Sequence, residues 1–219
     1  MFAPGAKDRL TEFDLGRFPG DTLLDRVGRA VCRAGCLPRK ELFEAWEVAR
    51  RVRRRFRGGR VVDLAAGHGL LAHVMLLLDD SSPNALAVDP SLPASSARLH
   101  EILVSEWPRL AGRITLVSAE LESVELVPSD VVVSSHACGA LTDLVLERAM
   151  AAGARVAVLP CCHDVDTCDA GGLTGWVDPP LAIDLMRAAR LEQRGYRVRT
   201  QSIPLEITPK NRLLIGEPG

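Results

Sequence analysis

Two groups of residues in this 219-residue chain have the types and spacing that chemistry requires. The first is Val61-Val62-Asp63-Leu64-Ala65-Ala66-Gly67-His68-Gly69, an apolar run with one acid, then two glycines a residue apart. Lacking side chains, Gly67 and Gly69 let the backbone come close to a bound ligand. Twenty residues past Gly69, Asp89-Pro90 follows the apolar run Ala85–Val88. A carboxylate there can accept both hydroxyl protons of a ribose. The second group is Ser134-Ser135-His136-Ala137-Cys138-Gly139-Ala140-Leu141-Thr142-Asp143 together with Pro160-Cys161-Cys162-His163. His136, Asp143 or His163 can serve as a base, histidine titrating near neutrality, and Cys138 is a further catalytic candidate.

The same cluster has metal-binding chemistry. Cys138, Cys161, Cys162, His136 and His163 are soft and borderline ligands for zinc. Neighbouring side chains on an extended strand alternate in direction, so Cys161 and Cys162 are not expected to point inward together. The expected state is therefore metal-free, with about half of the cysteines acting as small apolar fillers.

These groups have to be carried to one edge of a fold. Helical spacing predicts a helix over Asp21–Ala34 ending at Gly35, and a second opening at Pro38 and stopping at Gly58-Gly59. Its apolar stripe is Leu42, Ala45, Trp46, Ala49, Val52 and Phe56. The segment up to Gly20 lacks periodicity and reads as an irregular arm. Beyond Gly59, strands are expected at Arg60–Ala65, Ala85–Val88, Arg113–Val117, Val131–Ser134 and Arg155–Leu159, as near-continuous apolar runs. Helices are expected between them at Leu70–Leu78, Pro93–Glu106, Leu141–Ala152 and Pro180–Arg194. That alternation gives a doubly wound α/β sheet. Two last strands, Tyr196–Ile203 and Arg212–Ile215, are joined without a helix and must pair antiparallel. The expectation is a Rossmann-like seven-stranded sheet with an antiparallel C-terminal hairpin. Residues 1–58 would be an arm with helical extension and residues 59–219 the ligand-binding domain.

Gly67-x-Gly69-x-x-Ala72 with Asp89 also satisfies the nicotinamide dinucleotide fingerprint. Asp63 argues against that ligand: it stands inside the first strand, where a pyrophosphate would be repelled and a cationic amino group held. The pattern Asp63-x-Ala65-x-Gly67-x-Gly69 resembles the first motif of class I S-adenosylmethionine-dependent methyltransferases. The resemblance implies S-adenosylmethionine as cofactor, its methionine end against Asp63, Ala65, Gly67, His68, Gly69 and Ser135. Asp89 and Pro90 would then hold the ribose, and Ala119 and Glu120 would lie beside the adenine. The His-x-Cys-Gly-x-x-Thr-Asp and Cys-Cys-His motifs resemble one branch, domains fused to glutathione-transferase-like modules and, more distantly, eukaryotic tRNA ribose methyltransferases. This likeness spans roughly residues 38–216. A lysine-rich catalytic set is not expected, because the chain has only Lys7, Lys40 and Lys210.

Composition bounds the rest. Hydrophobic residues are 47% and charged residues 25% of the chain, which excludes disordered and fibrous classes. No apolar run reaches the length of a membrane span, and no signal-peptide pattern opens the sequence, so six reduced cysteines and a cytoplasmic location are expected. Residues 1–60 hold 15 Lys/Arg against 8 Asp/Glu, which hints at an anionic partner. Arg50, Arg51, Arg53, Arg54 and Arg57 would fan across a helix and could neutralise RNA phosphates. RNA is thus the favoured acceptor, ahead of a protein or a small molecule. The rival readings are a nicotinamide-dependent oxidoreductase and a non-catalytic RNA-docking scaffold. The Cys162–Asp178 stretch reads as a long loop, with Trp176 either stacking on an acceptor or anchoring the loop.

Overall fold

The computed structural model describes residues 3–219. Its seven strands are β1 (Val61–Leu64), β2 (Ala85–Val88), β3 (Ile114–Val117), β4 (Val131–Ser134), β5 (Arg155–Val158), β6 (Tyr196–Ser202) and β7 (Arg212–Pro218). They form one sheet in the order β3-β2-β1-β4-β5-β7-β6. β1 to β5 are parallel, and β7 enters antiparallel between β5 and β6. The strand order reverses between β1 and β4, where doubly wound sheets bind ligands at their carboxyl edge.

Helices α1 (Leu23–Ala34), α2 (Arg39–Arg55), α3 (Leu70–Leu78) and α4 (Ser96–Glu106) cover one face, and α5 (Ala140–Ala152) and α6 (Pro179–Gln193) the other. Alternation along the strands decides which residue serves which face. Val61 and Val131 join the core under α1–α4, whereas Val62, Leu64 and Val132 join the one under α5 and α6. α1 and α2 share the first core with the sheet, so the N-terminal extension is packed into the sheet's own interior. Among the described residues, no helix is long and apolar enough to cross a membrane.

Helix and strand positions follow the apolar periods closely, with two differences. The arm before Asp21 is not irregular throughout: Glu12–Arg17 forms a 3-10 helix, with Thr11 and Asp14 closing its first turn. Leu10 and Phe18 are buried, and Leu10 N–H donates to Leu37 O at 2.9 Å while Lys40 N–H donates to Ala6 O at 3.0 Å. Met1 and Phe2 of that arm lie outside the described residues. β7 also runs on to Pro218, because Gly216, Glu217 and Pro218 pair with β6.

Candidate active site

After β1 the chain turns through Ala65, whose φ of +57° is rare for a residue with a side chain. Such strain persists where neighbouring contacts impose it. Here Ala66 N–H donates to Val88 O at 3.0 Å and Gly69 N–H to Ala66 O at 2.8 Å. Gly67 and Gly69 follow at φ +52° and +75°. A Cβ on Gly69 would stand 3.0 Å from Ala87 Cβ, so the turn lies flat on β2. A Cβ on Gly67 would meet no protein atom within 4 Å, so this glycine borders open space.

Two acids bracket the turn. Asp63 is 1% exposed, and its Oδ2 accepts Ala72 N–H at 3.2 Å. Burial pushes its carboxyl up to about 8 against that hydrogen bond, with the charge of Asp89 adding to the rise. A carboxyl held neutral chiefly by desolvation recovers its charge when a cation arrives. Asp89 is half-buried and accepts Gly67 N–H at 2.9 Å through Oδ2 and Ser91 N–H at 2.9 Å through Oδ1. Pro90 and Glu120 are exposed, and Ala119 is half-buried beside them. Ser135 is buried, and His68 Nε2 lies 2.9 Å from Ser95 Oγ. Ser135 and His68 share a narrow cleft with His136 under α2. This donor set fits a nucleoside with a cationic tail: Asp89 for hydroxyls, Asp63 for the cation and a glycine backbone between them.

His136 is half-buried, and burial with help from Lys40 pushes its imidazole down to about 4, so it is neutral at neutral pH. Beside it opens a cavity of about 440 Å³ between α2, Cys161-Cys162 and the Thr208–Lys210 turn. Every lysine of the chain lines this cavity: Lys7, Lys40 and Lys210. Glu41 and Glu44 line it too, both raised by burial, and Lys40 Nζ meets Glu44 Oε1 at 2.9 Å. Sequence reasoning passed over these five residues. Their small number hid the lysines, although the acids three apart beside the apolar stripe of α2 were a usable signal. A separate cavity of about 350 Å³ lies between α6 and the β6–β7 hairpin, with Asp184 and Arg212 already paired at 2.7 Å.

Cys138 Sγ lies 3.0 Å from Cys161 Sγ, and Cys161 Sγ lies 3.8 Å from Cys162 Sγ. Adjacent Cys161 and Cys162 therefore do converge, contrary to the expectation from strand alternation. The reason is local: residues 160–163 lie beyond β5 and outside any strand, so no pleat dictates their directions. Burial raises the Cys138 and Cys161 thiols. Cys162 is lowered, chiefly by its hydrogen bond with Cys138 and further by Lys210. Cys32, Cys36 and Cys168 are buried, as small fillers are.

Two candidate bases are held away from the cavity. Asp143 is clamped by Arg187 at 2.7 Å and Arg190 at 3.1 Å, which fixes α5 to α6. His163 has its Nε2 on Asp184 Oδ1 at 2.8 Å, and its side chain is only 2% exposed. Both acids and the imidazole are engaged in this network, which ties the sequence-predicted bases Asp143 and His163 to α6. Thr142 belongs to the same framework, donating from Oγ1 to Ala137 O at 2.6 Å.

The arginine run is largely paired within the chain. Arg53 is buried, with Nε on Met75 O at 3.0 Å, Nη2 on Ser82 Oγ at 2.8 Å and Nη1 on Asp79 at 3.1 Å. Arg50 and Arg51 pair with Glu47, and Arg57 with Asp79 at 3.5 Å. Arg54 remains, exposed and without an ion pair among the described residues. A face expected to meet phosphates is largely spent on intramolecular acids.

A model of a methyltransferase domain matches residues 41–165, more than half of the chain, and the chain belongs to that family. Among solved structures it is similar to an O-methyltransferase family protein from Burkholderia thailandensis, with TM-score 0.56 and 19% identity over 94% of this chain and 63% of that one. The S-adenosylmethionine-dependent methyltransferase SibL gives TM-score 0.53 and 18% identity over 96% of this chain and 66% of its own. The pyocyanin biosynthetic protein PhzM gives TM-score 0.53 and 19% identity over 96% and 62%. The chain thus spans less than two thirds of the length of each. At these identities the likeness defines a methyltransferase fold and nothing finer. No curated protein matches the sequence.

Proposed function

We propose that the chain transfers a methyl group from S-adenosylmethionine to a small anionic acceptor held between α2 and Cys161-Cys162. One observation carries the cofactor half: buried Asp63 stands four residues before Gly67, which borders open space, and Asp89 is bonded to that same glycine. Asp63 would receive the ammonium end, with the backbone of Ala65, Gly67, His68, Gly69 and Ser135 around the methionine part. Asp89 and Pro90 would hold the ribose, and Ala119 and Glu120 would flank the adenine. When bound, S-adenosylmethionine supplies a methyl group on a sulfonium, open to in-line displacement. Residues 59–219 would form the cofactor domain. Residues 1–58 would cover it, supplying Lys7, Lys40, Glu41 and Glu44 to the acceptor cavity.

The acceptor half is supported by the convergence of all three lysines on one cavity. Lys40 is matched by Glu44, which leaves Lys7 to meet an anionic group together with Lys210, whose Nζ also lies 3.8 Å from Cys162 Sγ. RNA has less support, because four of the five arginines that suggested it, Arg50, Arg51, Arg53 and Arg57, are paired with acids. His136, neutral at physiological pH, can accept the hydrogen bond of an acceptor hydroxyl or amine. So weak a base moves little charge by itself, so alignment and exclusion of water have to supply most of the rate.

The test is transfer of labelled methyl groups from S-adenosylmethionine to a cell extract separated into RNA, protein and small anions. The expected result is label in the small-anion fraction, reduced at least about tenfold by Lys7→Ala with Lys210→Ala while cofactor affinity is kept. Label confined to RNA would return the reading to an RNA acceptor. A protein that binds the cofactor and labels no fraction would favour a non-catalytic module.

A further inference from the structure

We propose that Cys138, Cys161 and Cys162 form a zinc site whose fourth position opens into the lysine-lined cavity. The three sulfurs lie within 4.8 Å of one another, with two of the separations at 3.0 and 3.8 Å. A circle through points so spaced has a radius of about 2.4 Å or less, and a zinc–thiolate bond is about 2.3 Å. One ion can therefore touch all three sulfurs with little movement of the side chains.

The ligands come from separate, well-anchored pieces of chain. Cys138 precedes α5 in a loop held by Thr142 Oγ1 on Ala137 O. Cys161 and Cys162 follow β5, and Gly139 N–H donates to Cys162 O at 3.3 Å, tying the two loops together. His163, a fourth ligand on sequence grounds, is turned away onto Asp184. Cys161 and Cys162 both line the cavity, so the open side of the trio faces the space assigned to the acceptor.

Charge is accounted for in the same place. Each thiol releases a proton to solvent on coordination, so three thiolates and Zn²⁺ carry one net negative charge. Lys210 Nζ lies 3.8 Å from Cys162 Sγ and supplies the compensating cation. Three protein ligands with one open position is the arrangement of zinc sites that bind and polarise a substrate atom. Use of the open position on the acceptor rests on the function proposed above; the metal site itself does not.

The experiment is titration of the reduced protein, all six thiols free by chemical count, with Co²⁺ and then Zn²⁺. Expected is one equivalent of Co²⁺ with thiolate-to-cobalt charge-transfer absorption, bleached by one equivalent of Zn²⁺. Cys138→Ser and Cys162→Ser should each remove about a third of that absorption and weaken binding at least about tenfold. Cys138 is exposed, so its variant is expected to keep the parent melting temperature and far-ultraviolet dichroism. No charge-transfer band in the parent, or a band unchanged by Cys138→Ser in a folded variant, would overturn the site. Neither readout depends on S-adenosylmethionine, so loss of the metal site and loss of the cofactor site are separable.

Discussion

Asp89 Oδ2 accepts the Gly67 backbone N–H at 2.9 Å, so the acid that follows β2 holds the glycine turn that follows β1. The carboxylate has a second duty on Ser91 N–H. It therefore organises the turn before any ligand arrives, and cofactor affinity depends on it in two ways, by preorganisation and by contact.

Replacement of Asp89 separates those two effects. Asp89→Ala should weaken S-adenosylhomocysteine binding by at least about 30-fold, or about 2 kcal/mol. Asp89→Asn keeps an oxygen for Gly67 N–H and should lose less. Amide exchange at Gly67 should quicken in the alanine variant and stay near parent in the asparagine one. Equal losses with unchanged exchange would show that the turn does not need the acid.

Burial of Asp63 gives stability a defined pH dependence. Its carboxyl titrates at about 8 in the folded chain, against about 4 when unfolded. The folded chain holds the extra proton between those values, so stability falls as pH rises towards 8. His73 acts in the opposite direction. Burial pushes it down to about 4 from about 6.5, so stability falls as pH drops through that window. His136, also at about 4, adds to the acid limb. Melting temperature should therefore peak near pH 6.5. Asp63→Asn, which can still accept Ala72 N–H, should flatten the alkaline limb and stabilise the chain at pH 8 by roughly 1–3 kcal/mol. A thermal scan in which Asp63→Asn lowers stability at pH 8 would refute the desolvated acid.

Arg53 and Arg54 are neighbours with opposite expectations. Arg53→Ala leaves Asp79, itself drawn down to about 2, without its buried guanidinium. The loss should be about 3–5 kcal/mol in urea unfolding. Arg54→Ala should change stability by less than about 0.5 kcal/mol. Similar small losses for both would place Arg53 on the surface.

Asp143 should behave as a strut. Asp143→Ala leaves the buried Arg187 with Asp184, at 3.3 Å, as its acid partner, and should cost about 2–4 kcal/mol by separating α5 from α6. With an acceptor in hand, Asp143→Asn should lower the methylation rate without moving its pH profile. A profile that lost a limb in this variant would restore Asp143 as a base.

The fold was legible because β1 to β5 are nearly continuous apolar runs, largely buried in all but β3, and because apolar positions repeat at helical spacing in α1 to α6. The glycine turn was equally legible: Asp63, Gly67, Gly69 and Asp89 are held by local chain and adjacent strands. What stayed hidden was long-range. The ion pairs of Arg53, Asp143 and His163 could not be read locally, because their partners, Asp79, Arg187 and Asp184, lie 26, 44 and 21 residues away. Convergence of Lys7, Lys40 and Lys210 has no local pattern at all. The thiol cluster was visible as residues but misjudged in direction, because Cys161-Cys162 stands just past the end of the strand whose pleat was used to orient it.

Calorimetric titration of S-adenosylhomocysteine at neutral pH, in two buffers of different ionisation enthalpy, bears on the central claim most directly. Binding in the micromolar range is expected, with about one proton released as Asp63 regains its charge beside the ligand's ammonium group, and with no such release in Asp63→Asn. Absence of binding at millimolar ligand would contradict the cofactor site at Asp63, Gly67 and Asp89.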